Sequence, residues 1–460
     1  MSPQRDHPDS RRLATFVAGA DEPDEAALVR GHLLDGRCLR CLREANRALA
    51  VAQELTAKAA RRGLRAPVGS EERRASLERV ARQVERGAFL HEVEEALAAE
   101  LLEELLLLAP NDRREAVRES WRFHLLGFAE HLAERARSEV FEDVARAVEL
   151  GRLAVEAGDC LETAVYGRPE VLTAQSRAWA ALGNALRAST DLVEADRVLA
   201  VAERLLESAD GDPQERIDFL SLLASLRGQQ GRYEEARSLL AEAVALSRGH
   251  ADPRVEGKLL VKLARVLGES GEPAEAILAL EEADSLLDKA RDGELVLIAR
   301  HARAGWLVDC DRASEAAELF EGLAPAWAAH FRSLGQAQRL TWLSGWIAWG
   351  QGDLARAEED FLSVQAAFRE HEADYDYALV SLDLAAFYLE QGRTAEVRRL
   401  AEEMIPIFRS REIHRHALAA LVLIQRSIEA ETATVALLRD VARYLQRARH
   451  NPYLAYPPAG

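Results

Sequence analysis

Three side chains near the start of the chain have the types and spacing that metal binding requires. Cys38 and Cys41 are separated by two residues at the expected start of a helix, and His32 lies just upstream. Thiolates at this spacing can both point at one metal ion, and an imidazole can supply a third ligand. An exposed pair of this kind could instead undergo thiol redox chemistry. The remaining alternative is two half-buried cysteines that only pack, beside a surface histidine.

The segment around these residues resembles the zinc-binding motif of bacterial anti-sigma proteins; it reads HLLDGRCLRCLRE. In that family one helix ends in His, and the next begins with Cys-x-x-Cys. The resemblance implies that His32, Cys38 and Cys41 are zinc ligands. It also implies a fourth ligand further upstream, and His7 is the one candidate that this sequence offers. The sequence establishes no cofactor with certainty, and zinc is the one candidate that this motif offers.

Sequence motifs of the common enzyme classes are missing from the chain. There is no Walker phosphate loop, no G-x-S-x-G and no dinucleotide fingerprint. The pair His91-Glu92 is not followed by the second histidine of a metalloprotease. We therefore expect no enzymatic activity, with a catalytic site assembled from distant parts of the chain kept as the remote alternative.

Composition limits the class of protein further. The chain has 460 residues, of which 48% are hydrophobic and 30% charged, as in a folded protein. Its net charge of -18 opposes direct binding to nucleic acid, which needs clustered cations. The longest apolar run, residues 105–110, is far shorter than a membrane span, and the first residues lack the apolar segment of a signal peptide. We expect a cytoplasmic protein without a membrane partner.

The elements that must position these residues are helices, and in the second half of the chain they repeat. One pattern, a turn followed by a charged pair and a small anchor residue, recurs every 40 or 41 residues. The anchors are Ala195, Ala236, Ala276, Ala316, Ala357 and Val397. A glycine often lies at the turn, where it permits a positive φ. Such a period is typical of stacked helix pairs.

The clearest copy, residues 179–202, identifies the type of repeat. It carries Trp179, Leu182, Gly183, Leu186, Ala195, Leu199 and Ala202. This pattern resembles the tetratricopeptide repeat (TPR), lengthened from its usual size. The resemblance covers roughly residues 172–410. It implies an all-α fold, a right-handed α-solenoid of helix pairs whose concave face binds other proteins.

The sequence divides into four segments. They are an N-terminal helical module with the candidate zinc motif (1–110), a degenerate leading helix pair (111–171), six repeats (172–410), and a closing helix pair with a C-terminal tail (411–460). Within the leading pair we expect helices at residues 113–136 and 139–157. The closing pair is expected at residues 414–429 and 432–449.

The register of the TPR family predicts which side chains face the concave groove. They are Arg177, Asn184, Arg187, Lys258, Lys262, Arg265, His301, Arg339, Trp342, Trp346 and Trp349. The cations among them suggest a partner with an acidic segment. The three tryptophans form one helical stripe, which is either part of the groove or part of the core.

These features together favour a non-enzymatic scaffold or adaptor that binds a protein or peptide partner through its concave surface. The resemblance of the N-terminal segment implies one version of this function, a bacterial regulator with an anti-sigma-like module. An alternative is a sensor whose solenoid changes curvature when it binds a peptide or small ligand. The oligomeric state does not follow from the sequence.

Overall fold

The computed structural model describes residues 7–61, 70–209, 212–250, 252–410, 422, 424, 428 and 432–448. Across these ranges the regular secondary structure is helical and contains no strand, which confirms the all-α prediction. The chain divides into two compact units, Met1–Glu215 and Arg216–Gly460. None of the helices in the described ranges is both long and apolar enough to cross a membrane.

The first unit begins with four helices that belong to no repeat. They are α1 (Ser10–Val17), α2 (Pro23–Leu34), α3 (Leu39–Arg61) and α4 (Ser70–Leu106). Asp9 caps α1 by accepting a hydrogen bond from the backbone N–H of Arg12 at 2.8 Å. Apolar side chains of α1 to α4 pack into one core, which includes Phe16, Leu42 and Leu90. Cys41 of the candidate zinc motif belongs to this core, and Cys38 packs against it.

Six further helices complete the first unit. They are α5 (Pro110–Glu119), α6 (Leu126–Glu139), α7 (Val144–Asp159), α8 (Thr163–Tyr166), α9 (Arg168–Ala188) and α10 (Leu192–Ser208). The prediction of one helix over residues 113–136 is wrong, because a 3₁₀ turn at Trp121–Phe123 separates α5 from α6. The turn buries Phe123 against Phe128, with 5.4 Å between ring centroids, which a continuous helix would not achieve.

The first repeat, α9 and α10, belongs to the same compact unit as the leading helices. Helix α9 packs on both α6 and α7. The approach is close, since a Cβ atom at Gly151 of α7 would lie 2.9 Å from the backbone of Leu182. Along the sequence, the boundary between the two compact units lies between Glu215 and Arg216. The division into four segments stays a prediction.

In the ranges that the structure describes, the second unit contains helix pairs followed by a further helix. They are α11 (Pro213–Gln229) with α12 (Tyr233–His250), α13 (Pro253–Ser270) with α14 (Pro273–Leu286), α15 (Gly293–Asp309) with α16 (Ala313–His330), α17 (Leu334–Gln351) with α18 (Leu354–Glu370), α19 (Asp374–Glu390) with α20 (Thr394–Ser410), and α21 (Val435–Ala448). Most of residues 414–429, the first predicted closing helix, and the C-terminal tail lie outside the described residues. The second predicted closing helix corresponds to α21.

The predicted repeat anchors lie where neighbouring helices cross. All six are buried, from Ala195 to Val397. The turns before the second helices adopt positive φ at Gly231, Gly271, Gly352 and Gly392. Thr190 and Asp311 take the same conformation in the two repeats that lack glycine there, with φ of 66° and 59°. The repeat is thus defined by close packing and by one backbone conformation.

Candidate functional site

The predicted metal ligands come from three parts of the first unit. His7 precedes α1, His32 lies in the last turn of α2, and Cys38 and Cys41 flank the start of α3. Arg37, with φ of 47°, makes the sharp turn between α2 and α3. The backbone N–H of Leu42 donates to the carbonyl of Cys38, which places both cysteines on the first turn of α3.

These four side chains converge on one point. One ligand atom of each lies within 4.8 Å of the corresponding atoms of the other three. Nδ1 of His7 is 3.4 Å from Sγ of Cys38 and 3.5 Å from Sγ of Cys41. Burial and the neighbouring Cys38 raise the pKa of the Cys41 thiol to about 12. Without a bound cation, Cys41 is therefore a neutral thiol at pH 7.

A second candidate site is a cavity of about 410 Å³ in the second unit. Its lining comes mainly from the first helices of successive pairs, α11, α13, α15, α17 and α19, and from α21. This is the arrangement expected for the concave face of a TPR solenoid. Three indoles form its apolar wall: Trp306, Trp346 and Trp349. The volume suits a small molecule or a few residues of a peptide.

Asp383 is the best-positioned polar group in this cavity. Its Oδ2 accepts hydrogen bonds from Nε1 of Trp342 at 2.8 Å and from Nε1 of Trp346 at 3.0 Å. Within the described part of the chain, its Oδ1 has no hydrogen-bond partner. Desolvation by the surrounding protein raises the pKa of Asp383 to about 7, and the two indole donors partly offset this rise. The two indoles thus hold Oδ2 in place, and Oδ1 is left available.

The polar groups around Asp383 have mixed charge. Asp309 of α15 lies near enough to raise the pKa of Asp383, and Arg439 of α21 acts in the opposite direction. The guanidinium of Arg439 also lies over the ring of Trp349, 5.5 Å from its centroid. Nε1 of Trp306 is a buried donor for which the described residues supply no acceptor. The acceptor Oδ1 of Asp383 is therefore the group left available to a ligand, whereas the indole N–H of Trp306 is buried within the wall.

Four of the side chains predicted to face the groove line this cavity: Arg265, His301, Trp346 and Trp349. Trp342 lies beside it and donates to the same carboxylate as Trp346. All three predicted tryptophans are half-buried and pack against the core of α17 to α21. The stripe therefore serves as the edge of the core and, through Trp346 and Trp349, as the wall of the cavity.

Most of the predicted groove cations are paired within the chain. Arg177 forms ion pairs with Glu130 and Glu215. The other pairings are Lys258 with Asp292 at 3.2 Å, Arg265 with Glu269 at 3.3 Å, Lys262 with the hydroxyl of Ser221 at 2.5 Å, and Arg187 with the side-chain carbonyl of Asn184 at 2.8 Å. His301 contacts the backbone carbonyl of Arg339 at 3.2 Å. These pairings reduce the basic character on which the expectation of an acidic partner depends.

Sequence reasoning missed Trp306, Asp309, Asp383 and Arg439. A signal for Asp383 exists, because it follows Trp342 by 41 residues, one repeat period. Residues one period apart lie on adjacent first helices, so a tryptophan and an aspartate at this spacing can be neighbours. No comparable signal exists for Arg439, because α21 follows the last repeat and does not share its register.

The class of protein follows from the repeats and from a family comparison. The family model for the tetratricopeptide repeat matches residues 215–289. The chain contains tetratricopeptide repeats. This TPR protein is 28% identical over 244 residues to cellulose synthase operon protein C of Pseudomonas fluorescens (strain SBW25). The match covers 46% of the chain and only 18% of that relative.

Two solved structures are similar to this TPR protein in fold. One is a Rap protein complexed with competence and sporulation factor, with a TM-score of 0.50 and 13% identity. That match covers 70% of the chain and 91% of the Rap protein. The other is the apo form of RapI, with a TM-score of 0.51 and 11% identity, covering 88% of the chain and 99% of RapI. At these identities the likeness concerns the fold alone.

Proposed function

We propose that this TPR protein is an adaptor whose second unit binds a short peptide segment of a protein partner. The segment lies in the cavity between α15, α17, α19 and α21, with a cationic group at Asp383. The observation that carries the proposal is one cavity that combines three indoles with a carboxylate that is fixed through Oδ2 and leaves Oδ1 available.

The apolar wall supports a ligand with bulk as well as charge. Trp306, Trp346 and Trp349 offer large, rigid surfaces of the kind that dominates binding at protein interfaces. Indole faces also attract cations, as the position of Arg439 over Trp349 illustrates. A lysine or arginine side chain presents an apolar stem and a cationic head, and both parts find counterparts here.

Hydrogen bonding favours a peptide over a purely apolar ligand. The cavity has an acceptor, Oδ1 of Asp383, without a hydrogen-bond partner in the described part of the chain. A peptide offers this acceptor an N–H on nearly every residue of its backbone. Burying a ligand that left Oδ1 unpaired would cost about 1–3 kcal/mol.

The charges in the cavity favour a cationic group over an acidic segment. Arg265 forms an ion pair with Glu269. Asp309 and Asp383 form no ion pair within 4.0 Å with any of the described residues. Arg439 and Arg443 of α21 lie nearby and moderate this preference. An acidic partner remains the competing prediction, and the experiment below separates the two.

The comparison with solved structures supplies an example of a complex formed on this fold. The Rap protein of similar fold was solved with competence and sporulation factor bound. A regulatory role with an anti-sigma-like N-terminal module stays a prediction, because it depends on the first unit rather than on this cavity. The sensor alternative requires, in addition, that the helices of the second unit move when the peptide binds.

The test is titration of the full chain, followed by tryptophan fluorescence, with two pools of random hexapeptides. The pools are identical except for one fixed central residue, Arg in one and Glu in the other. We expect the Arg pool to bind more tightly. Asp383→Asn should weaken its binding about tenfold, the loss of about 1.4 kcal/mol.

The matched control is Glu321→Gln, an equally conservative change at an exposed position of α16. It should leave binding unchanged. Tighter binding of the Glu pool would show that the cavity prefers an acidic ligand and would overturn the proposal of a cationic one. Failure of both pools to change the fluorescence, or equal binding by wild type and Asp383→Asn, would overturn the proposed site.

A further inference from the structure

The four side chains that converge beside α1 make a complete set of donors for one metal ion. His7, His32, Cys38 and Cys41 each place a ligand atom within 4.8 Å of the other three. A tetrahedral zinc ion with bonds of about 2.0–2.3 Å requires donor atoms about 3.3–3.8 Å apart. The two measured Cys–His distances, 3.4 and 3.5 Å, already lie in that range.

The chemistry of the donors selects the metal. Two sulfurs and two imidazole nitrogens in tetrahedral reach are the donor set of a structural zinc site. Calcium and magnesium prefer oxygen ligands, and the cluster contains none. Four protein ligands also close the coordination sphere, which leaves no position for substrate.

The surroundings of the cluster are those of a built site. Cys41 is buried and belongs to the same core as Leu13, Phe16 and Leu33, and Cys38 packs against that core. The rings of His7 and His32 meet edge to face, with 5.3 Å between their centroids. These contacts hold the donors from three chain segments in place and shield one side of the cluster from water.

We infer that His7, His32, Cys38 and Cys41 bind one structural zinc ion. Binding would release the two thiol protons to solvent and form two Zn–S and two Zn–N bonds, without a change of oxidation state. The ion would tie the segment before α1 to the corner between α2 and α3. Because an unfolded chain cannot hold the ligands together, part of the free energy of zinc binding would stabilise the first unit.

The experiment measures metal in the full-length protein, purified from zinc-supplemented medium without chelator. We expect about one zinc per chain, and about 0.2 or less in Cys41→Ser and in His32→Ala. Replacement of zinc by Co²⁺ in the wild type should give the absorption of a tetrahedral cobalt–thiolate complex. Cys160→Ser, which changes a cysteine outside the cluster, should keep its zinc and is the matched control.

Wild-type measurements decide the outcome even if a ligand variant fails to fold. Wild type that contains less than about 0.2 zinc per chain, and that gives no thiolate–cobalt absorption, would overturn the inference. Retention of zinc by folded Cys41→Ser and His32→Ala would do the same, because the metal would then lie elsewhere. The result is independent of peptide binding, which uses residues of the second unit only.

Discussion

Two carboxylates whose pKa is raised to about the same value lie in different units and in different surroundings. Glu94 in the first unit and Asp383 in the second both have a pKa raised to about 7, and desolvation is the main cause for each. Glu94 is only 2% exposed. Both of its oxygens accept hydrogen bonds, Oε1 from Asn46 and Tyr166 and Oε2 from the backbone of Gly127. Asp383 is half-buried at the wall of an open cavity and leaves Oδ1 available.

The difference separates a structural group from a binding group. A raised pKa shows that protein surrounds a carboxylate, but it does not show whether a ligand can reach it. The hydrogen bonds of Glu94 join α3, α4, α6 and α8, so its acceptor capacity is used inside the fold. Asp383 is fixed through one oxygen, and its other oxygen faces the cavity. Hydrogen-bond occupancy, rather than pKa, therefore distinguishes the two.

Removing the carboxylate of Glu94 tests its structural role and should have the largest effect on the free energy of unfolding. Glu94→Ala leaves the donors of Asn46, Tyr166 and Gly127 buried without their acceptor. We expect the free energy of unfolding, measured by urea denaturation, to fall by at least about 3 kcal/mol. Glu95→Ala, at an exposed neighbouring position, should change it by less than about 0.5 kcal/mol. Equal effects of the two changes would contradict the structural role of Glu94.

The pH dependence of stability sharpens the same point. In the unfolded chain Glu94 has a pKa near 4.5, whereas in the folded chain its pKa is raised to about 7. The folded state therefore binds more protons between these values, and the contribution of Glu94 to stability decreases as pH rises through this window. Relative to Glu94→Gln, wild type should lose up to about 3 kcal/mol of unfolding free energy between pH 4.5 and 7. A constant difference would show that folding does not change the pKa of Glu94 and would contradict this prediction.

The sequence predicted best those features that depend on local spacing. The repeat anchors and the turns before the second helices follow from the 40- or 41-residue period, and the structure buries all six anchors. The convergence of His32, Cys38 and Cys41 follows from one short segment. His7 precedes α1 and is 25 residues before His32, so its place in the cluster depends on tertiary packing as well.

The groove was predicted less well because its electrostatics depend on pairs that are distant in sequence. Arg177 had the register of a groove cation, but Glu130 and Glu215, 47 and 38 residues away, pair with it. Asp383 was missed since an aspartate on a helix usually faces solvent. Arg439 belongs to α21, whose position against the cavity does not follow from the repeat period.

Gly268 provides a smaller test of the cavity wall. A Cβ atom at this position would lie 2.1 Å from Cζ2 of Trp306, so Gly268→Ala must displace the indole. We expect the unfolding free energy to fall by about 1–2 kcal/mol, since overpacking outweighs the gain in helix propensity. Peptide binding should weaken as well.

Gly305→Ala is the matched control for this change. Its Cβ atom would meet the ring of Trp346 at 3.8 Å, an ordinary contact. We expect unchanged or slightly increased stability, because alanine is the better helix former by about 1 kcal/mol. A loss of stability in Gly305→Ala as large as that in Gly268→Ala would show that the indoles are not packed as described.

The smallest expected effect on stability is that of Asp383→Asn, which keeps an acceptor for the indoles of Trp342 and Trp346. Its consequence should appear in tryptophan fluorescence measured against pH without ligand. As pH falls through about 7, Asp383 becomes protonated, its hydrogen bonds from the two indoles weaken, and the wild-type emission should change. The groups that face Asp383 are Asp309 and Arg439; they shift the midpoint in opposite directions.

Asp383→Asn should abolish the transition, whereas Glu94→Gln should retain it, since Glu94 contacts Tyr166 and no tryptophan among the described residues. Loss of the transition in both variants would mean that a general change in the fold, rather than the carboxylate of the cavity, is being observed.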